Sequence, residues 1–353
     1  MPEFEIAPNR LVGENNPCFI IAECGQNHQG DINIAMDMIY KVAHEIKADC
    51  VKFQKSDLNK KFNYKALNRP YLSQHSWGST YGQHKTHLEF TDEQFHNLQL
   101  YALNQGIIFA SSAMDINSIE FLVQMDLPFL KIGSGDVNNF PLLQVAASKN
   151  KPLIISTGMH DIHVIQQSYS LVSSINSKIG LLHCVSSYPT PFEEINLKVL
   201  TDYQNRFPLA VIGYSSHDQG NEVSIGAVAL GAKIIEKHYT LDKSMKGTDH
   251  SSSLNTNQFC NLVNQIRNVE QASKGTGIKQ RCECEASCYK KLGKSIVSSK
   301  YLLKGTQITH DSIDIKVAEP FGIEAHEINK IIGKKLKNDI GFDESIEYED
   351  LED

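Results

Sequence analysis

Between Pro17 and His238 the chain repeats one pattern eight times: a short apolar run, a polar or charged end to it, then a helix-like segment. The runs are Cys18–Ala22, Cys50–Val51, Ile107–Ala110, Phe129–Leu130, Leu153–Ile155, Ile179–Leu182, Leu209–Ile212 and Lys233–Ile235. Their polar ends are, in order, Glu23, Lys52 with Gln54, Ser111–Ser112, Lys131 with Ser134, Ser156–Thr157, Ser186 with Tyr188, Ser215 with His217, and Glu236 with His238. Parallel strands covered on both sides read as uninterrupted apolar runs. The alternation therefore predicts an α/β fold, a (β/α)8 barrel, and the polar strand ends predict a furnished mouth.

The intervening segments carry helical signals. Asp31 is placed as an N-cap, followed by Ala35, Met38, Ile39, Val42, Ala43 and Ile46 on one helical face. Thr91–Gln94 has capping-box form before Phe95, Leu98, Tyr101 and Ala102. Residues 56–90 show little periodicity and many basic and aromatic side chains, so they read as a long excursion on the active rim. The expected organisation is a barrel over residues 1–272, a polar linker over 273–291 and a small, mostly β domain over 292–353. In that tail, Lys294–Leu303 and Ile308–Val317 read as strands, and Ala325–Ile332 as a short helix ended by Gly333. Gly305, Ile308 and Asp311 are echoed by Gly341, Ile346 and Asp350, a repeated turn-then-strand phrase.

Composition narrows the class. The hydrophobic fraction of 41% in 353 residues supports a sizeable core. A net charge of −7 without a basic block argues against nucleic acid as a partner. No run approaches the roughly 18 apolar residues of a membrane span, and Met1–Arg10 lacks the apolar stretch of a signal peptide; a cytoplasmic location is expected. Cys18, Cys24, Cys50 and Cys184 fall in or beside the runs and read as packing. Cys282, Cys284 and Cys288 lie in the polar connector without a histidine or second pair at zinc spacing, and read as linker.

The mouth carries the chemistry. His217 and His238 end the seventh and eighth runs, which neighbour each other in a barrel, so they can converge on one divalent ion or serve as ordinary hydrogen-bonding residues. Lys52 and Lys131 end runs two and four in apolar surroundings, where an ammonium needs a negative partner, either a core carboxylate or a bound anion. With Ser112, Ser134, Ser156, Ser186 and Ser215 they form a candidate cradle for a small phosphorylated carboxylic acid. Gly133 and Gly135 permit close backbone approach, as do Gly25 and Gly158. Neither a dinucleotide fingerprint nor a Walker loop is present.

Ile21–Gly30, Lys131–Asp136, Ile155–Met159, His183–Pro189 and Glu236–His238 resemble the sialic acid synthases, and the tail from Leu292 is similar to their antifreeze-like SAF domain. The resemblance implies condensation of phosphoenolpyruvate with an N-acetylmannosamine-type sugar to a nine-carbon 2-keto acid, dependent on Mn²⁺ or Mg²⁺. It implies His217 and His238 as metal ligands, and Lys52, Ser112, Lys131, Ser134, Ser156, Ser186 and Ser215 as the phosphoenolpyruvate cradle. Glu23, Gln54, Asp136, Tyr188 and Asp249 then face the sugar or the reacting centre, with Glu23 or Asp136 as proton acceptor. It further implies a homodimer in which the SAF domain of one subunit covers the partner's barrel mouth.

Many bacterial members have glutamate in place of Asp136 and asparagine in place of Ser186, and carry a tail arginine where this chain has Lys316–Gly322. These departures, with the stretch from His75 to Phe90, resemble the animal-type branch, whose members use the 6-phosphorylated sugar; the unphosphorylated sugar is the alternative. Lys61, Arg69, His84 and Lys85 in the excursion are candidates to contact that phosphate. A Schiff-base aldolase on the same fold is a rival, yet it commonly places its lysine at the end of the sixth run, where this chain has Cys184–Ser187. A carbohydrate- or ice-binding scaffold led by the tail leaves the polar ring unexplained.

Overall fold

In the computed structural model, which describes residues 2–352, all eight apolar runs become parallel strands of one closed barrel. A hairpin of β1 (Glu3–Ala7) and β2 (Arg10–Gly13) precedes it. The barrel follows as β3 (Phe19–Gly25), β4 (Cys50–Lys55), β5 (Ile108–Ala113), β6 (Leu130–Ile132), β7 (Leu153–Ser156), β8 (Ile179–Cys184), β9 (Ala210–Ser216) and β10 (Ile234–His238). It closes through β10 against β3, with His238 in register with Glu23.

Strand parity divides the side chains into two shells. Ile20, Ala22, Val51, Phe53, Leu130, Ile155, Ile212 and Ile235 point outward into the layer shared with the helices. Phe19, Ile21, Cys50, Ala110, Phe129, Ile154, Leu182, Val211 and Ile234 form a separate cluster inside the barrel. One or two steps of the same parity further along each strand come Glu23, Lys52, Ser112, Lys131, Ser156, Cys184, Ser215 and Glu236. An apolar floor therefore supports a polar upper layer. The hairpin completes the floor, since Phe4, Ile6 and Val12 belong to the inner cluster.

The excursion after β4 is not a featureless loop. It contains helices Leu58–Lys61, Tyr64–Asn68 and Tyr81–Leu88, capped by Asp57, Asn63 and Thr80. The first two bury no residue, which is why no apolar stripe marks them in the sequence. The N-cap at Asp31 and the capping box at Thr91 form as expected.

The chain divides into two compact units, Met1–Lys274 and Gly275–Asp353. The second has its own core of Ile296, Leu302, Ile308, Ile313, Ile323, Ile331, Leu336, Ile340, Ile346 and Leu351. Its sheet is smaller than the sequence suggests: only β11 (Ser295–Ser298) and β12 (Ile313–Lys316) pair at length, antiparallel. Leu302 and Gln307 instead make single bridges to Ile340 and Lys335. The repeated phrase ends in 3-10 turns, His310–Ser312 and Tyr348–Asp350, rather than in strands. Cys282, Cys284 and Cys288 are exposed, and all eight cysteines are free, with Cys18, Cys24, Cys50 and Cys184 buried. No described helix is long and apolar enough to cross a membrane.

Candidate active site

A cavity of about 800 Å³ opens over the polar layer. Lys52 and Lys131 stand on its floor at 1% and 2% exposure, which makes their partners decisive. The Lys52 ammonium lies 2.5 Å from Glu23 Oε2 and 3.5 Å from Glu236 Oε2, and donates to Ser112 Oγ at 2.9 Å. The Lys131 ammonium donates to Ser156 Oγ at 2.8 Å and to the Ile132 carbonyl at 3.0 Å, with Glu236 Oε1 at 3.7 Å. Ser215 donates to the same Glu236 oxygen at 3.0 Å, and Gln54 to Glu23 Oε1 at 2.9 Å. Each lysine therefore has a core carboxylate as partner, and each also lines the cavity.

The two carboxylates differ. Burial pushes both toward the protonated form, but Lys131 and Lys52 outweigh it at Glu236 and hold that group down to about 2. At Glu23 burial prevails over Lys52, with Glu236 adding repulsion, and the group is raised. Burial pulls Lys131 down, whereas Glu23 and Glu236 overcome the same effect at Lys52 and raise it. Two carboxyl groups whose environments separate them this way are suited to different tasks: Glu236 to fixed charge, Glu23 to proton transfer.

His217 and His238 converge at the mouth with ring centroids 5.4 Å apart, and the Tyr188 ring packs against His217 at 4.1 Å, tilted by 36°. The Val185 carbonyl lies 2.9 Å from Nδ1 of His217, fixing the ring and leaving Nε2 free. His238 Nδ1 is buried without a partner, and burial holds this imidazole at about 4, in the neutral form a metal requires. Among the described residues no three His, Cys, Asp or Glu side chains form a ready cage.

At Gly158 the backbone passes close to two serine hydroxyls. A Cβ on it would come within 2.3 Å of Ser186 Oγ and 2.9 Å of Ser134 Oγ, while its own N–H donates to Ser134 Oγ at 3.0 Å. Gly133 and Gly135 are different: a Cβ at either would meet nothing, so they edge open space rather than a tight backbone contact.

Most of the residues singled out in the sequence line this cavity: Glu23, Lys52, Gln54, Lys61, Ser112, Lys131, Ser134, Asp136, Ser156, Ser186, Tyr188, Ser215, His217 and His238. Four do not. Asp249 lies in the loop after β10, where its carbonyl accepts from Ser253 Oγ and its Oδ1 accepts from Thr248. Arg69 is exposed and stacked on Tyr81 at 4.1 Å. His84 is buried against Tyr71 and Trp77, and burial holds it neutral, at about 4. Lys85 donates to Gln26 Oε1 at 2.6 Å.

Two residues that the sequence named without giving them a role in the site belong to it. Glu236 is the shared counterion of both lysines; its parity with His238 on β10 was the available signal. Cys184, read as packing, lines the cavity with Ser134 at 3.5 Å and His217 Nδ1 at 3.7 Å.

Residues 38–279 match the model of the NeuB family, and residues 293–352 match that of the SAF domain. The chain is 48% identical over 344 residues to the N-acetylneuraminate-9-phosphate synthase of Homo sapiens, covering 98% of this chain and 95% of that one. The Drosophila melanogaster protein of the same name is 43% identical over 351 residues, covering 93% and 94%. Among solved structures, the N-acetylneuraminic acid (sialic acid) synthetase of Leptospira borgpetersenii serovar Hardjo-bovis, in complex with citrate, matches with TM-score 0.72 at 32% identity. That match covers 82% of this chain and 96% of that one. Fold and site together define a barrel synthase with an anion cradle and a histidine pair at its mouth. The chain belongs to the NeuB family of sialic acid synthases, with a SAF domain at its C-terminus.

Proposed function

We propose that the barrel mouth condenses phosphoenolpyruvate with N-acetylmannosamine 6-phosphate, releasing phosphate and forming N-acetylneuraminate 9-phosphate. The observation that carries this reading is the pair of buried lysines on the cavity floor, each bonded to a serine hydroxyl and facing open volume. Lys52 and Lys131 bind the phosphate and carboxylate of phosphoenolpyruvate, with Ser112, Ser134, Ser156, Ser186 and Ser215 donating to their oxygens. The identity to synthases of the 9-phosphate product supports the phosphorylated sugar as co-substrate.

The residues at the mouth fit a divalent cation. His217 Nε2 and the buried, unpartnered Nδ1 of His238 offer imidazole nitrogens, and other positions remain for water or substrate oxygen. Mn²⁺ or Mg²⁺ held by His217 and His238 supplies Lewis-acid polarisation of the sugar aldehyde. The protein's own groups do the rest. The cradle presents the phosphoenolpyruvate methylene to the aldehyde carbon, and the new C–C bond leaves positive charge on the enolic carbon. Water adds there, the C–O bond to phosphate breaks, and the lysines stabilise the departing dianion. Glu23, raised and bonded to Lys52, is the group placed to exchange the proton; Asp136, on the cavity wall and bonded to Asn139, is the second candidate.

The test is phosphate release from phosphoenolpyruvate and the sugar 6-phosphate, lost with EDTA and restored by Mn²⁺. In ¹⁸O-water the label should enter the keto acid; label in inorganic phosphate refutes the C–O cleavage. A homodimer in which the SAF domain covers the partner's mouth accords with exposed apolar side chains in the tail, Tyr301, Leu303, Phe342 and Tyr348. A monomeric mass by light scattering in the active enzyme would exclude it.

A further inference from the structure

The excursion after β4 carries two lysines without carboxylate partners. Lys61 ends the helix Leu58–Lys61 and lines the cavity wall, against the Met114 thioether. Lys85 lies on the helix Tyr81–Leu88, which packs against the first, and donates to Gln26 in the loop after β3. Among the described residues neither ammonium takes part in an ion pair, although both are only partly exposed. Asp249 attracts Lys85, Asp136 and Asp115 attract Lys61, and Glu89 attracts both, but none forms an ion pair with them, and the Glu89 oxygens are taken by the hydroxyl and N–H of Ser56, at 2.5 and 3.3 Å. Burial lowers both lysines, and Lys85 lowers Lys61 further by repulsion.

Two like charges, partly withdrawn from water and without an ion-paired carboxylate, are costly unless a ligand supplies the negative charge at close range. The floor lysines show the contrast, since Lys52 and Lys131 are each balanced by carboxylates of the protein. Lys61 and Lys85 are balanced by nothing comparable. Both belong to the excursion, apart from the cradle on the barrel floor: Lys61 lines the cavity wall, and Lys85 is close enough to repel it.

We propose that Lys61 and Lys85 form a second anion subsite, which holds the phosphomonoester dianion of the sugar and sets the preference for the phosphorylated over the unphosphorylated substrate. This rests on the reading of the cavity as the synthase site. The structure separates these two from the other basic residues of the excursion: Arg69 is engaged on the outside with Tyr81, and His84 is a neutral core residue.

The experiment compares kcat/KM for N-acetylmannosamine 6-phosphate and for N-acetylmannosamine in the wild type, Lys61→Met and Lys85→Met, at fixed phosphoenolpyruvate. Loss of one charge-assisted contact should lower the ratio of the two values by about 30-fold in each variant. Lys61→Arg, which keeps the charge, should retain most of the preference. A ratio that stays within twofold of wild type, or a loss shared equally by both sugars, overturns the subsite. A wild type that releases no phosphate with either sugar sinks the synthase reading itself. A wild type active on both without preference removes only the subsite.

Discussion

Lys237 and Asp218 form an ion pair of 3.2 Å whose side chains are wholly excluded from solvent, and each is the immediate chain neighbour of a mouth histidine, His238 or His217. Because strand parity turns alternate residues outward, the pair lies behind the histidines on β10 and at the end of β9. The Lys237 ammonium also donates to Ser216 Oγ at 2.6 Å and to the Asp218 carbonyl at 2.7 Å, and Asp218 accepts from Tyr214 at 3.0 Å. Two strand ends are tied where the metal pair must be held.

Removing one partner should therefore be expensive. Asp218→Asn or Lys237→Met leaves an uncompensated buried charge, and we expect either to destabilise the barrel by about 3–5 kcal/mol in urea denaturation. The double variant should recover part of that loss. Singles that lose less than about 1 kcal/mol would show that the pair contributes no more than an exposed one.

Glu236 makes a complementary prediction. Replacing it by Gln leaves Lys52 and Lys131 without their shared carboxylate, so the variant should be less stable by about 3 kcal/mol in anion-free buffer. Inorganic phosphate binding to the folded state would restore the missing charge, raising the variant's Tm more than the wild type's. Equal phosphate shifts in the two proteins would argue that Glu236 does not balance the cradle.

The barrel and most of its site were legible because both follow from local pattern. Eight apolar runs ending in polar residues give the strands, and a strand's C-terminal end gives the mouth. Parity was the unused signal: counting in twos from Phe19, Cys50 or Ile234 reaches Glu23, Lys52 and Glu236, and separates inward Glu236 from outward Lys237. Other features were hidden for physical reasons. The burial of His84 depends on Tyr71 and Trp77 meeting it from the turn before its helix, which no periodicity reveals. Asp249 depends on where a long loop comes to rest, and Lys85 on how the excursion's helices pack.

His28, in the loop after β3, is 2% exposed and stacked on Phe90 at 4.1 Å, and burial lowers it to about 3. An unfolded histidine titrates near 6.5, so between about pH 6.5 and pH 3 the unfolded chain takes up a proton that the folded one refuses. Stability should fall on acidification across this window, with His28 contributing up to about 1.4 kcal/mol per pH unit. His28→Gln should be less stable at neutral pH but decline less steeply, by about 1 kcal/mol per unit between pH 6 and pH 5. Urea titrations at those two values and at neutral pH measure the slope; parallel slopes for variant and wild type would remove His28 as a source of acid lability.

The hairpin offers the sharpest test of the two-layer interior. Its alternation, Glu3-Phe4-Glu5-Ile6, is a strand signal compressed into five residues, and it sends Phe4 and Ile6 into the inner cluster below the lysines. Ile6 is fully buried, so Ile6→Ala removes apolar contact at the floor and leaves a void, at an expected cost of about 2–5 kcal/mol. Leu11, the outward neighbour of Val12 on β2, is 44% exposed, and Leu11→Ala should change stability by less than about 0.5 kcal/mol. The polar layer rests on this floor, so Ile6→Ala should also weaken phosphoenolpyruvate binding, seen as a raised KM, whereas Leu11→Ala should not. If both substitutions proved equally mild, the hairpin would be an appendage, and the floor would be closed by the barrel strands alone.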